Sequence, residues 1–190
     1  MTSSKNCWSC YKKIGYKDFV CNECGALQKP FNLNPFDIFS VDKKFEIDKK
    51  VLEKKYLELQ ILLHPDKFIN ASQEEKKFSN THTSLVNDAF KVLDDDISRI
   101  KVLLEYFGYQ ISENESFQDV SILEEIMELQ NKSMSVESES EQKKIKSQLE
   151  RKIKNEIKKV SQFFNEKKYK EVHKSCIKLS YLKKININLK

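Results

Sequence analysis

Apolar residues in this chain recur every three or four positions over long stretches, the spacing of helices buried on one face. Leu52, Tyr56, Leu59 and Leu63 define such a face on a helix from Lys49 to Leu63, with Asp48 placed to cap its amino terminus. Phe78, His82, Leu85, Ala89 and Leu93, widened by Val86 and Phe90, mark a second helix from about Ser72 to Asp94. A shorter one, about 97 to 107, stops at Gly108, a residue suited to the left-handed turn after a helix. Three more stripes follow. One helix, about 119 to 132, carries Val120, Leu123, Ile126, Met127 and Leu129. A long one, about 139 to 165, carries Ile145, Leu149, Ile153, Ile157, Val160 and Phe164. The last, about 167 to 186, carries Val172, Cys176, Leu179 and Leu182. Three stripes of this kind bury one another only as a bundle.

The expected fold is therefore mainly α, in three blocks. Residues 1–33 form a small cysteine-bearing module ending near Pro30 in the linker FNLNP. Residues 34–110 hold a helical hairpin closed by a short loop at 64 to 71. Residues 111–190 form the three-helix bundle, entered through the loop-like SENES at 112 to 116 and interrupted by SMSVESESE. With three glycines and three prolines in 190 residues, few tight turns are available, which favours helices over a many-stranded sheet. No run of 18 apolar residues exists, so no membrane span is expected. The amino terminus, MTSSKNCWSC, lacks the apolar core of a secretory signal and leaves no room for an amphipathic transit peptide before the first cysteine.

A net charge of +5 hides an uneven distribution. Residues 111–141 hold nine acids and one base, and residues 142–190 hold sixteen bases and four acids. A basic tail raises nucleic acid as a partner. The bases lie at helical spacing with no aromatic platform among them, which fits a solvated helix face opposite an acidic segment. Arginine, the usual phosphate and base fork, occurs only at Arg99 and Arg151.

Cys7, Cys10, Cys21 and Cys24 read C-x2-C-x10-C-x2-C. Two such knuckles present four thiolates, a set suited to one tetrahedral structural zinc ion with no open catalytic position. Iron or another metal, a disulfide framework and thiol redox work are the alternatives. Gly25 supplies the positive φ a knuckle needs, and Trp8, Tyr11, Tyr16 and Phe19 are expected to pack around the site. Cys176, alone on an apolar stripe near His173, reads as a buried structural thiol. His82, on its helix's core seam, reads as a satisfied core histidine.

LHPDKF, at 63 to 68, sits at the tip of the hairpin. Pro65 ends the preceding helix, because proline restricts the residue before it and donates no N–H. A His64–Asp66 catalytic pair would lack a neighbouring nucleophile. Placed after a basic, apolar-striped helix and before a second long one, His64–Pro65–Asp66 resembles the signature of J-domains. NPFDIF (34–39), FEID (45–48), YLELQ (56–60), LHPDKF and VNDAF (86–90) resemble, in order and spacing, the HscB family of J-type co-chaperones of iron–sulfur cluster assembly. ILEEIMELQ (122–130) and KLSYLKKI (178–185) are similar to that family's carboxy-terminal three-helix domain, and the four-cysteine module to that of many eukaryotic members.

The resemblance implies a non-enzymatic bridge between two partners. His64, Pro65 and Asp66, with Lys50, Lys54 and Lys55, would dock on a seventy-kilodalton heat-shock chaperone and stimulate its ATP hydrolysis. Asp66 would meet a chaperone arginine, and the lysines would steer the encounter. Leu123, Met127 and Glu128, with the aromatic Tyr181, would hold the cluster scaffold protein, although Leu123, Ile126 and Met127 also read as plain core. Glu124 and Asn131 depart from the family's scaffold surface, and DDDISR (94–99) replaces a proline-containing turn. The resemblance implies a mitochondrion or related organelle, with the cytoplasm as alternative. Self-association and another docking event are the two roles open to the module. The rival function is a zinc-ribbon nucleic-acid-binding protein with a basic helical tail, and the arginine count disfavours it.

Overall fold

The computed structural model describes residues 4–110, 120–136 and 138–189. The SENES loop expected at 112 to 116 lies outside them. The chain divides into two compact units. The first comprises the residues up to Lys43 together with Ile47–Asp95, and the second comprises Lys44–Glu46 with the residues from Asp96 onward. Sequence blocks and compact units are thus different partitions. The cysteine module shares a unit with the hairpin, and the helix after Asp95 groups with the carboxy-terminal helices.

The first unit opens with a small antiparallel ribbon, β1 (Ser4–Asn6) and β2 (Lys13–Gly15), in which Lys5 faces Ile14. A single turn, α1 (Pro35–Ile38), is capped by Asn34, whose side chain accepts the Phe36 N–H. Next come α2 (Lys49–Leu63), a 3-10 turn (Pro65–Phe68) and α3 (Gln73–Asp94). The expected Asp48 cap is in place, accepting from the N–H groups of Lys50 and Val51, and Ser72 likewise caps α3, accepting from that of Glu75. Leu52 and Leu63 from α2 and Val86, Ala89 and Leu93 from α3 are buried, with Phe36 and Phe39 of the α1 turn. Tyr56 stacks on Phe90 at 4.2 Å between centroids, while its hydroxyl and the Gln60 amide both donate to Asn87 Oδ1, at 2.9 and 2.6 Å.

The second unit contains α4 (Asp96–Tyr106), α5 (Val120–Met134), α6 (Glu139–Asn165) and α7 (Tyr169–Asn188). α5 runs two residues past its expected end. α7 begins two residues late, because Lys167 takes the left-handed φ of 58° and turns the chain out of α6. Gly108 does the same after α4, at φ 78°. Leu149 and Val160 of α6 and Val172, Cys176, Leu179, Leu182 and Ile185 of α7 are buried, together with Ile126 and Leu129 of α5. Val120 and Met127 leave the expected α5 stripe and face solvent. Lys44–Glu46 joins this core: Phe45 stacks on Phe164, and the Phe45 carbonyl accepts from Arg99 Nε at 2.9 Å. Among the described residues no helix is long and apolar enough to cross a membrane.

Candidate functional site

Three sites emerge, two in the first unit and one in the second. The four-cysteine cluster is built by two similar turns. The N–H of Tyr11 donates to the carbonyl of Cys7 (3.0 Å), and that of Gly25 to the carbonyl of Cys21 (2.9 Å). The residue after each second cysteine is left-handed, Gly25 at φ 74° and Tyr11 at φ 61°. Tyr11 therefore occupies a position where glycine is the relaxed choice. Its ring is 78% exposed and does not pack around the cluster as expected. All four sulfurs lie within 4.8 Å of one another, with Cys7 and Cys24 at 3.7 Å and Cys10 and Cys21 at 3.8 Å. Such a group could hold a metal ion.

The electrostatics agree. The Cys7 thiol is drawn down to about 6, first by the Cys10 backbone N–H and then, against burial, by the Ser9 N–H, the Gln28 amide and Cys24. Cys10 receives the Lys12 N–H, yet burial and the neighbouring thiols of Cys24, Cys7 and Cys21 raise it to about 12. Four thiols this close do not all ionise without a cation among them.

Aromatic and polar contacts tie this cluster to α3. Trp8 sets its ring edge-on to Phe78 at 6.0 Å, and its Nε1 donates to the Leu27 carbonyl at 2.7 Å. The Leu27 N–H donates to Glu75 at 3.2 Å. The Gln28 amide reaches Cys7 Sγ at 3.4 Å, and the Gln28 carbonyl lies 2.8 Å from His82 Nε2. His82 is buried between Phe19 and Phe31, and burial lowers its pKa. It is a core histidine, as expected, but only half satisfied: Nε2 finds its partner in the cysteine module, and Nδ1 is buried without one among the described residues.

At the tip of the hairpin, His64 leaves α2 with φ −57° and ψ 131°, the extended geometry forced before Pro65. Its Nδ1 accepts the Asp66 N–H at 3.3 Å, and its carbonyl accepts the Lys67 N–H at 3.0 Å. The same Nδ1 lies 3.5 Å from Asp66 Oδ2. The Asp66 side chain is 80% exposed. Behind this prong, Lys50 and Lys54 are exposed on α2. Lys55 is half-buried, and its ammonium donates to the carbonyls of Phe39 (2.9 Å) and Ser40 (2.8 Å) at the end of α1. Leu57 and Ile61, outside the buried stripe, are exposed in the helical row of Lys50 and Lys54. Sequence reasoning missed these two, and the only signal was their place off the buried face.

In the second unit, Met127 is 61% exposed, Glu128 is exposed and Leu123 is half-buried. Glu128 pairs with Lys132 within α5 at 2.5 Å. Tyr181 on α7 is 40% exposed. Glu125, between Leu123 and Met127 on α5, takes ion pairs from Lys152 of α6 and Lys178 of α7, each at 2.5 Å. Burial alone would raise the Glu125 carboxyl, and the two lysines more than reverse that, leaving it below the usual range. This clamp joins α5 to α7 close in sequence to both Met127 and Tyr181. It also answers the charge asymmetry, since part of the basic tail pairs with acids of its own unit. Lys183 pairs with Asp96 at 2.9 Å in the same way.

Residues 118–190 match the model of the HSCB C-terminal oligomerisation domain. The chain is 35% identical over 189 residues to the human iron–sulfur cluster co-chaperone protein HscB, covering 97% of this chain and 80% of that protein. The chain belongs to the HscB co-chaperone family. An Arabidopsis thaliana HscB homolog is 29% identical over 94% of this chain and 71% of its own length. The crystal structure of human HscB superposes with a TM-score of 0.89 at 35% identity, covering 97% of this chain and 96% of that one. The expected mainly helical fold and the HscB resemblance are both borne out.

Proposed function

We propose that this chain stimulates ATP hydrolysis by a seventy-kilodalton heat-shock chaperone and presents to it the scaffold protein on which iron–sulfur clusters are built. The observation that carries this reading is the prong: an exposed Asp66 carboxylate held at a hairpin tip by His64 and Pro65, behind which Lys50 and Lys54 are exposed. A preformed loop lowers the ordering cost of binding, and Asp66 offers a charge-assisted contact to an arginine. Residues 34–110 act as the J-domain in this scheme. The chain hydrolyses nothing and works where cluster assembly runs, a mitochondrion or related organelle.

The scaffold binds the carboxy-terminal residues 111–190 through Leu123, Met127, Glu128 and Tyr181. An exposed methionine and tyrosine with a half-buried leucine have the composition of a binding hot spot. Cys7, Cys10, Cys21 and Cys24 hold one structural zinc ion in module 1–33. The ion orders a segment with little core of its own.

The test is chaperone ATPase measured with wild-type protein and with Asp66→Ala, with and without scaffold. Stimulation is expected from the wild type and none from Asp66→Ala. Equal stimulation by both would remove the docking reading. For the scaffold site, Leu123→Ala combined with Tyr181→Ala is expected to abolish capture in a pulldown, and retained capture would remove it.

A further inference from the structure

The carbonyl of Leu63 is the last of α2 and belongs to a buried residue. The backbone donors after it are all diverted. Position 65 is a proline and has no N–H. The Asp66 N–H goes to His64 Nδ1, and the Lys67 N–H goes to the His64 carbonyl. A buried carbonyl left in this state would be costly, so buried carbonyls find partners. Here α3 supplies two. Ser79 Oγ donates to it at 2.6 Å and Thr83 Oγ1 at 3.2 Å. They stand one turn apart on the same helix face, and Ser79 is fully buried. Thr81, between them, shows the ordinary alternative: its hydroxyl bonds the Lys77 carbonyl of its own helix at 3.0 Å.

We propose that Ser79 and Thr83 are positioning residues that aim the His64–Pro65–Asp66 prong at the chaperone, a role that rests on the docking reading above. The Leu63 carbonyl and the His64 N–H share one rigid peptide plane. Two hydroxyls from a helix fix the oxygen of that plane from two directions. The plane fixes where His64 begins, and His64 Nδ1 holds the Asp66 N–H. The chain of contacts therefore runs from α3 through the Leu63–His64 peptide to the carboxylate-bearing residue. Ser79 and Thr83 touch no partner themselves.

The experiment titrates a purified, ATP-loaded seventy-kilodalton heat-shock chaperone with wild type, Ser79→Ala/Thr83→Val, Thr83→Val, Thr83→Ser and Asp66→Ala. It is run at a temperature where circular dichroism shows each variant folded. The double variant is expected to need about ten-fold more protein for half-maximal stimulation, the loss of roughly one well-made hydrogen bond. Thr83→Val alone should need about three-fold more and carries the test if the double variant does not fold. Thr83→Ser, which keeps the hydroxyl, should stay within about two-fold of wild type. Amide exchange at Lys67, whose N–H closes the prong, should accelerate about ten-fold in the double variant relative to amides at the carboxy-terminal end of α3. A folded double variant within two-fold of wild type, beside an inactive Asp66→Ala, overturns the positioning role and leaves the docking reading standing. If Asp66→Ala also matches wild type, the docking reading falls and this inference falls with it.

Discussion

The imidazole of His82 donates from Nε2 to the main-chain carbonyl of Gln28 at 2.8 Å, and the side chain of that same glutamine reaches the Cys7 sulfur. One residue thus touches both a thiol of the four-cysteine cluster and the long helix of the hairpin. His82→Ala removes a buried ring and orphans a buried carbonyl. We expect a loss of about 3 kcal/mol, read from the denaturation midpoint of the metal-loaded protein. His82→Gln, which retains a donor, should recover part of it.

Removing the metal should be felt beyond the cysteines. Chelation, or Cys7→Ser with Cys10→Ser, is expected to accelerate amide exchange in the α3 segment from Glu75 to His82, because Leu27 and Gln28 hold that segment through Glu75 and His82. Exchange in α6 serves as the internal control. Unchanged α3 exchange in the metal-free protein would show the two to be uncoupled.

Gly25 and Tyr11 occupy equivalent left-handed positions, with different consequences. Gly25→Ala strains a backbone at φ 74° and should cost about 1 kcal/mol, roughly five-fold in metal affinity by chelator competition. Tyr11→Gly removes a strain of similar size while loosening the unfolded chain, so affinity should stay within about three-fold of wild type.

Glu125 sets an acid limit on the second unit. Its carboxyl is held below the ordinary range by Lys152 and Lys178 in spite of burial, so the folded state binds a proton more weakly than the unfolded chain does. The stabilisation is complete above the unfolded value near pH 4.3 and is lost as pH falls through the lowered folded value. Asp96, lowered by Lys183 and Arg99 in spite of burial, adds in the same direction. Glu125→Gln should flatten the acid limb of the stability profile and cost less than about 1 kcal/mol at pH 7, since the pair is partly solvent-screened.

The three lysines assigned together from the sequence should separate by assay. Lys55→Ala removes an ammonium from two carbonyls and is expected to lower stability by about 2 kcal/mol. Lys50→Ala with Lys54→Ala should leave stability within about 0.5 kcal/mol. That pair should slow chaperone association several-fold at low salt, with the difference closing as salt rises.

The helices were legible because amphipathic burial leaves a direct imprint: α2, α3 and α6 run where the apolar periodicity, and for α2 the Asp48 cap, place them. The four-cysteine cluster was legible because the spacing of its cysteines is local. Contacts that depend on tertiary approach were not. His82 was recognisable as a core histidine, but its partner lies 54 residues away and could not be named. Lys55 looks like Lys54 in a sequence, and only the position of α1 separates them. Met127 falls on an apolar stripe and nevertheless faces solvent, because α5 turns Ile126 and Leu129 inward.

Phe45 belongs to the second unit although it precedes α2 in the chain. During synthesis it leaves the ribosome long before Phe164, the ring it stacks on, and before Arg99, which donates to its carbonyl. The carboxy-terminal core is therefore completed by a residue that must wait, and a gene fragment beginning at Asp96 encodes that core with one aromatic missing. A version of this unit made alone would need Lys44–Glu46 supplied through a redesigned linker to keep the Phe45–Phe164 stack and the Arg99 bond.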